Sequence, residues 1–167
     1  CRNGLISLLT KTPMSDLPSG RIKAVLFDAV GTLFDVRGSV GELYREIAVD
    51  FGSEADAQSI QKAFVEYCNK VGTPVDKPSW KLLVRGVFDR VGPVEDFERF
   101  FEALYEAFRT DSGWRCYPET RQVLEALRVA ELEVGIVSNF DRRLHDVLRA
   151  LDIDSFFSTV TIPSSCG

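Results

Sequence analysis

The sequence predicts an α/β protein: a parallel sheet interrupted by a block of four helices. Three observations carry this reading. Two short apolar runs, Ala24-Val25-Leu26-Phe27 and Val134-Gly135-Ile136-Val137, read as strands buried on both faces, as a parallel sheet requires. Between them lie four stretches whose apolar residues recur at helical spacing. The element order, strand, four helices, helix, strand, helix, strand, is that of parallel strands joined by helical crossovers. A chain of 167 residues suits one core plus a modest insert.

Taken in order, residues 1–20 hold an apolar patch, Leu5 to Leu9, followed by turn formers. The patch is too short for a secretory apolar core, and the stretch is expected to be a poorly ordered leader. The first strand falls in residues 21–27 and ends at Asp28, with a Gly31-Thr32 turn beyond it. Ser39 and Glu42 form a capping box for the first helix; Val40, Leu43, Tyr44, Ile47, Ala48 and Phe51 make its stripe and Gly52 stops it. Ser53 and Asp56 start the second helix, with Ala57, Ile60, Phe64, Cys68 and Val71 inward and Gly72 and Pro74 at its end.

Ser79 is the expected cap of the third helix, with Leu83, Val87, Phe88 and Val91 facing in and Gly92-Pro93 closing it. The fourth carries Phe97, Phe100, Phe101, Leu104, Tyr105 and Phe108, whose spacing is that of a buried stripe rather than a ligand-binding wall. Four antiparallel helices with short links can form a small bundle. Pro118 suits the first turn of the next helix, where Val123, Leu124 and Leu127 point inward. The second strand ends at Ser138-Asn139. A helix through Leu144, Val147, Leu148 and Leu151 and a strand from Ser158 to Ile162 complete the chain.

Apolar residues make up 45% of the chain, enough for a sizeable core, yet no apolar run approaches the ~20 residues of a membrane-spanning helix. The net charge is −5, and segment 38–112 alone holds 9 basic and 14 acidic residues. Neither the whole nor a part is basic enough to hold a nucleic-acid backbone by charge. Four scattered cysteines with no CxxC pair, and one histidine, argue against a zinc site and for reduced thiols in a cytoplasm-like compartment. A catalytic pairing of a cysteine with His145 is the weaker reading of the same residues.

In open parallel sheets ligands bind beyond the carboxyl ends of the strands. Two strand ends here are polar: Asp28, and Ser138-Asn139. Asp28 alone reads equally well as a nucleophile, a metal ligand or a cap.

The two segments together narrow the choice. VLFDAVGTLFD (residues 25–35) and VGIVSNFD (134–141) resemble motifs I and II of the haloacid dehalogenase superfamily of hydrolases. The helical insert resembles that family's C1 cap, and GWRCYPETRQVLEALR (113–128) the helix returning to its core. The resemblance covers residues 21–167. It implies a Rossmann-like core from 21–37 and 113–167, with a helical cap at 38–112. It also implies a small-molecule substrate and Mg2+ as cofactor. Asp28 matches the nucleophile, Ser138 and the Asn139 amide the donors to a transferring phosphoryl oxygen, and Thr32 the brace of the first loop. Asp28 and the Val30 carbonyl match metal ligands. Asp35 and Asp141 read as structural, Asp141 at the start of a helix.

Two departures qualify that picture. Family phosphatases place a second aspartate two residues after the nucleophile to protonate the leaving alkoxide; here Val30 stands there and cannot move a proton. A similar DAYGTL motif belongs to L-2-haloacid dehalogenases, whose halide leaves without a proton and without a metal. Their cap signature has no clear match, with Trp80, Arg85, Trp114 and Arg115 only loose candidates. The family's motif III lysine and motif IV acids have no counterpart either, since no lysine follows Lys81. The expectation is a C-terminally incomplete copy, itself inactive, of a hydrolase of small phosphorylated metabolites acting through an aspartyl-phosphate. The alternatives are hydrolysis at carbon and a degenerate, non-catalytic binding module.

Overall fold

The computed structural model of the chain describes residues 22–74 and 76–163. The expected leader at 1–20 and the last four residues lie outside the described residues. A three-stranded parallel sheet is formed by β1 (Ala24–Phe27), β4 (Glu133–Val137) and β5 (Thr159–Thr161), in the order β1-β4-β5. Phe27 lies opposite Ile136, and Ile136 opposite Val160.

Between β1 and β4 the chain first makes a two-stranded antiparallel ribbon, β2 (Phe34–Val36) with β3 (Trp114–Cys116). Four helices are inserted between its strands: α1 (Val40–Ala48), α2 (Ala57–Val71), α3 (Lys77–Val91) and α4 (Phe97–Ala107). Then α5 (Thr120–Val129) leads to β4, and α6 (Leu144–Ala150) leads to β5. The ribbon was not expected from the sequence. Its strands are three residues each, too short to show an alternation, and lie eighty residues apart.

The insert forms because each helix carries its own start signal and one apolar face. Ser39 accepts from the Glu42 amide at 3.1 Å, and Asp56 from the Ser59 amide at 2.9 Å. The start of α3 differs from expectation. Asp76, not Ser79, is the cap: its Oδ1 accepts from the Ser79 amide at 2.8 Å, and Ser79 Oγ accepts in return from the Asp76 amide at 3.3 Å, a reciprocal box. Lys77-Pro78 then occupies the first turn, where a missing proline amide costs nothing. Pro118, by contrast, stands in the turn before α5 rather than inside it, since that helix begins at Thr120.

Gly41 lets α1 and α2 meet: a Cβ there would lie 2.1 Å from the Ala57 carbonyl oxygen. Its amide donates to Gln61 Oε1 at 2.8 Å. Inside the insert Tyr44, Phe88, Phe100, Phe101, Ile60, Leu83 and Leu104 are fully buried. Their rings meet edge-on or stacked, as in the 4.7 Å contact of Phe88 with Phe100.

The sheet differs from expectation in one respect. Its strands were expected to be buried on both faces, but Leu26 is 61% and Val137 51% exposed. The succession β1, β4, β5 proceeds in one direction, and right-handed crossovers then carry α5 and α6 to the same face. Val134 and Ile136 are buried beneath them, while Leu26 and Val137 point the other way.

Candidate active site

Asp28 stands at the carboxyl end of β1, exposed, with its Oδ1 accepting from the Ala29 amide at 2.7 Å. The turn beyond it is tight. The Ala29 carbonyl accepts from the Thr32 and Leu33 amides at 3.2 and 2.8 Å, and the Gly31 amide donates to the Phe34 carbonyl at 2.8 Å. Gly31 has φ +83, a left-handed conformation that favours glycine. Thr32 enters these bonds through its backbone amide alone. The Val30 carbonyl takes no part in these bonds.

Since Phe27 lies opposite Ile136, the register carries Asp28 alongside Val137, with Ser138 next. Ser138 is buried; its amide donates to the Thr161 carbonyl at 3.0 Å, and its Oγ accepts from the Phe140 amide at 3.3 Å. That leaves the hydroxyl hydrogen free to be donated. Asn139 is exposed at the same strand end. The two polar strand ends therefore meet on one rim of the sheet.

The first loop is held from behind by residues the sequence did not single out. The Leu33 carbonyl accepts from both the Tyr117 amide and the Thr120 hydroxyl, and Tyr117 donates its phenol hydrogen to Asp35 at 3.0 Å. Asp35 is thus a brace, as expected. Asp141 is structural too: it caps the Arg143 amide at 3.0 Å and grips the Arg143 guanidinium, with Nη2 at 2.8 Å.

Aromatic rings of β3 and of the insert approach the loop beyond Ser138. Trp114 packs edge-on against Phe140 at 5.5 Å, and Trp80 and Tyr105 lie over Arg143 at 4.3 and 4.2 Å. Of the loose candidates, Trp80 and Trp114 are thereby brought to the second loop. Arg85 is instead bound to Glu98 and lies over Phe97, and Arg115 is exposed on β3. Burial pushes the Tyr44 phenol above its ordinary 10; its oxygen accepts from Trp80 Nε1 at 2.9 Å. Burial likewise raises the Cys68 and Cys116 thiols, the opposite of what a reactive thiolate needs.

Among the described residues no group of three or more His, Cys, Asp or Glu could hold a metal ion. The Asp28 carboxylate and the Val30 carbonyl supply two oxygens. That is fewer than a closed protein site needs, although Mg2+ often keeps several waters. No helix among the described residues is long and apolar enough to cross a membrane.

The architecture is a Rossmann-like core with polar residues at adjacent strand ends and a helical insert beside them. The model of the haloacid dehalogenase-like hydrolases matches residues 22–166, and the chain belongs to that family. It is 31% identical over 152 residues to haloacid dehalogenase-like hydrolase domain-containing protein 3 of Danio rerio, covering 83% of this chain and 62% of that protein. It is 26% identical to the rhythmically expressed gene 2 protein of Drosophila melanogaster, covering 81% of this chain and 60% of that one. The chain therefore spans about three-fifths of the length of these relatives. Among solved structures, L-2-haloacid dehalogenase from Xanthobacter autotrophicus superposes with TM-score 0.62 at 22% identity, over 87% of this chain and 58% of that one. A Thermotoga maritima protein provisionally assigned as a β-phosphoglucomutase gives 0.63 at 19%, over 86% and 62%. At these identities the structures establish the fold.

Proposed function

We propose that the chain is the nucleophile-bearing part of a hydrolase for small phosphorylated metabolites, with the four-helix insert as its cap over the site. The observation that carries this is the exposed Asp28 carboxylate set in register beside Val137-Ser138, with the Ser138 hydroxyl hydrogen uncommitted. Asp28 attacks phosphorus; its oxygen–phosphorus bond forms as the ester oxygen departs with the bonding pair. Ser138 Oγ–H and the Asn139 amide donate to the phosphoryl oxygens as charge builds there. Water then cleaves the aspartyl-phosphate, releasing phosphate and restoring Asp28. Asp28 and the Val30 carbonyl would be the chain's own oxygens on Mg2+, which when bound would offset phosphate charge.

Val30 leaves the departing oxygen to take its proton from solvent. It is also what favours a second reading, hydrolysis at carbon, where a halide leaves unprotonated. The two are separated by kcat/KM for an alkyl phosphate, an aryl phosphate and a 2-haloacid, with Asp28→Asn as control. The comparison is between variants of one chain, so it rests on ratios of rates rather than on their absolute size. Expected is Asp28-dependent turnover of the aryl phosphate above the alkyl phosphate. Val30→Asp should raise the alkyl rate by ~10²–10⁴-fold and the aryl rate little. Turnover of the 2-haloacid, abolished by Val30→Asp, would instead establish the carbon reading.

A further inference from the structure

The turn that carries the chain from β3 into α5 grips the nucleophile loop at one atom. Tyr117 and Thr120 stand at its two ends, with Pro118-Glu119 between them, and the Thr120 amide closes it by donating to the Tyr117 carbonyl at 3.1 Å. Proline presets the backbone at the second position of such a turn, so the two ends keep a fixed spacing. Both ends reach the same acceptor. The Leu33 carbonyl oxygen accepts from the Tyr117 amide at 3.2 Å and from the Thr120 hydroxyl at 2.5 Å. Among the described residues, the hydrogen bonds that residues 29–33 make outside the segment 28–34 end on that oxygen.

The second donor is not needed to satisfy the carbonyl, since the Tyr117 amide already does so. Packing does not ask for it either. Thr120 is 4% exposed, and valine would fill the same space without burying a hydroxyl. Nor does the start of α5 carry a side-chain cap bond. A carbonyl oxygen has two lone pairs, and two donors fix its position where one leaves it free to swing. From that oxygen a series of bonds leads to the nucleophile. The Thr120 hydroxyl donates to the Leu33 carbonyl, the Leu33 amide to the Ala29 carbonyl at 2.8 Å, and the Ala29 amide to Asp28 Oδ1 at 2.7 Å. Leu33 and Ala29 are 2% and 0% exposed, so close packing passes a shift at one end on to the other.

We propose that Thr120 is a positioning residue for the hydrolase reaction: acting through the Leu33 carbonyl, it holds the nucleophile loop so that the Asp28 carboxylate meets its substrate in line. The inference rests on the reading of Asp28 as nucleophile. Asp28 is itself exposed, so its aim is set from the loop beneath it rather than by enclosing side chains. Attack depends on a nucleophile held close to the productive geometry, and a small misplacement far from the reacting atoms lowers the rate of the chemical step. Ser138 and Asn139, which would hold the phosphoryl group, belong to the other strand end and take no part in these bonds. Loss of the Thr120 hydroxyl should therefore lower kcat and leave KM in place.

The test uses the 167-residue chain with p-nitrophenyl phosphate and Mg2+. Thr120→Val keeps the shape without the donor, and Thr120→Ser keeps the donor. Thr120→Val should lower kcat about ten- to hundredfold with KM within about twofold, and Thr120→Ser should restore most of the loss. Amide hydrogen exchange read by NMR is the second measurement. In Thr120→Val the Ala29, Thr32 and Leu33 amides should exchange about tenfold faster or more, while the Gly135 and Ile136 amides of β4 keep their wild-type rates. An unchanged kcat in folded Thr120→Val, or an equal fall in Thr120→Ser, would overturn the proposal. So would a change in KM alone, or exchange that quickens equally in the loop and in β4, because that is lost stability rather than lost position. Should Thr120→Val not fold, Thr120→Ala, which also lacks the donor, is judged by the same criteria. If wild type shows no turnover beyond that of Asp28→Asn, the hydrolase reading falls instead, and exchange alone then decides whether Thr120 holds the loop.

Discussion

In the helical insert Tyr44, Phe88, Phe100, Phe101 and Leu104 are at most 2% exposed, while in the sheet Leu26 and Val137 stay 61% and 51% exposed. The two regions meet the same problem, an apolar surface to be covered, with different geometry. Four helices can turn their stripes toward one another, and the insert encloses its core from its own residues. A parallel sheet has two faces, and each needs its own layer of helices. Here α5 and α6 lie on one face, so the outer one remains open among the described residues. Asp28 and Ser138 lie where the open-faced sheet ends, and Trp80 and Tyr105 of the closed insert reach Arg143 on the loop beyond Ser138.

The contrast is broken or sharpened most strongly by truncating one large side chain in each region. Phe100→Ala should cost about 3–5 kcal/mol, since it empties a fully enclosed position, whereas Leu26→Ala should stay within about 0.5 kcal/mol. Urea unfolding of both variants measures this, and similar losses would mean that the outer face is covered. Next in size is Trp80→Phe, which keeps the ring contacts but removes the donor to Tyr44. It should cost about 1–3 kcal/mol by the same measurement and leave the Leu26 side untouched.

A smaller effect concerns pH. Hydrogen bonds from Ser59 hold the Asp56 carboxyl below its ordinary 3.8, and those from Ser79 do the same for Asp76. A carboxylate whose pKa is lower when folded adds stability that is complete above the unfolded value and is lost as pH falls through the folded one. The insert should therefore lose helix stability below about pH 4, and the double variant Asp56→Asn, Asp76→Asn should flatten that part of the melting profile. Smallest in free energy is Leu26→Ser. It should barely move the melting temperature, yet reduce binding of a hydrophobic dye, whose fluorescence reads the open face. Unchanged dye binding would place the apolar patch elsewhere.

Local signals account for the part of the site that was legible in the sequence. Asp28 and Ser138-Asn139 each follow an apolar run, and a parallel sheet puts such strand ends on one rim. Thr120 and Tyr117 gave no such signal, because their partner, the Leu33 carbonyl, is a backbone group more than eighty residues away. Arg143 was equally hidden. A basic residue at a helix start reads as surface, and only the packing of the insert shows that rings cover it.

By itself the sequence determined the element order, the helix stripes and most helix ends, because periodicity and capping act within a few residues. It also determined the family, because the motif spacing is a property of the chain. The tertiary structure alone decided which face of the sheet is covered, that β2 and β3 pair across the insert, and that one nitrogen of Arg143 is buried without an acceptor. Each depends on contacts between segments far apart in sequence, and hydrophobic burial, being non-directional, does not encode in any one segment which partner it will meet.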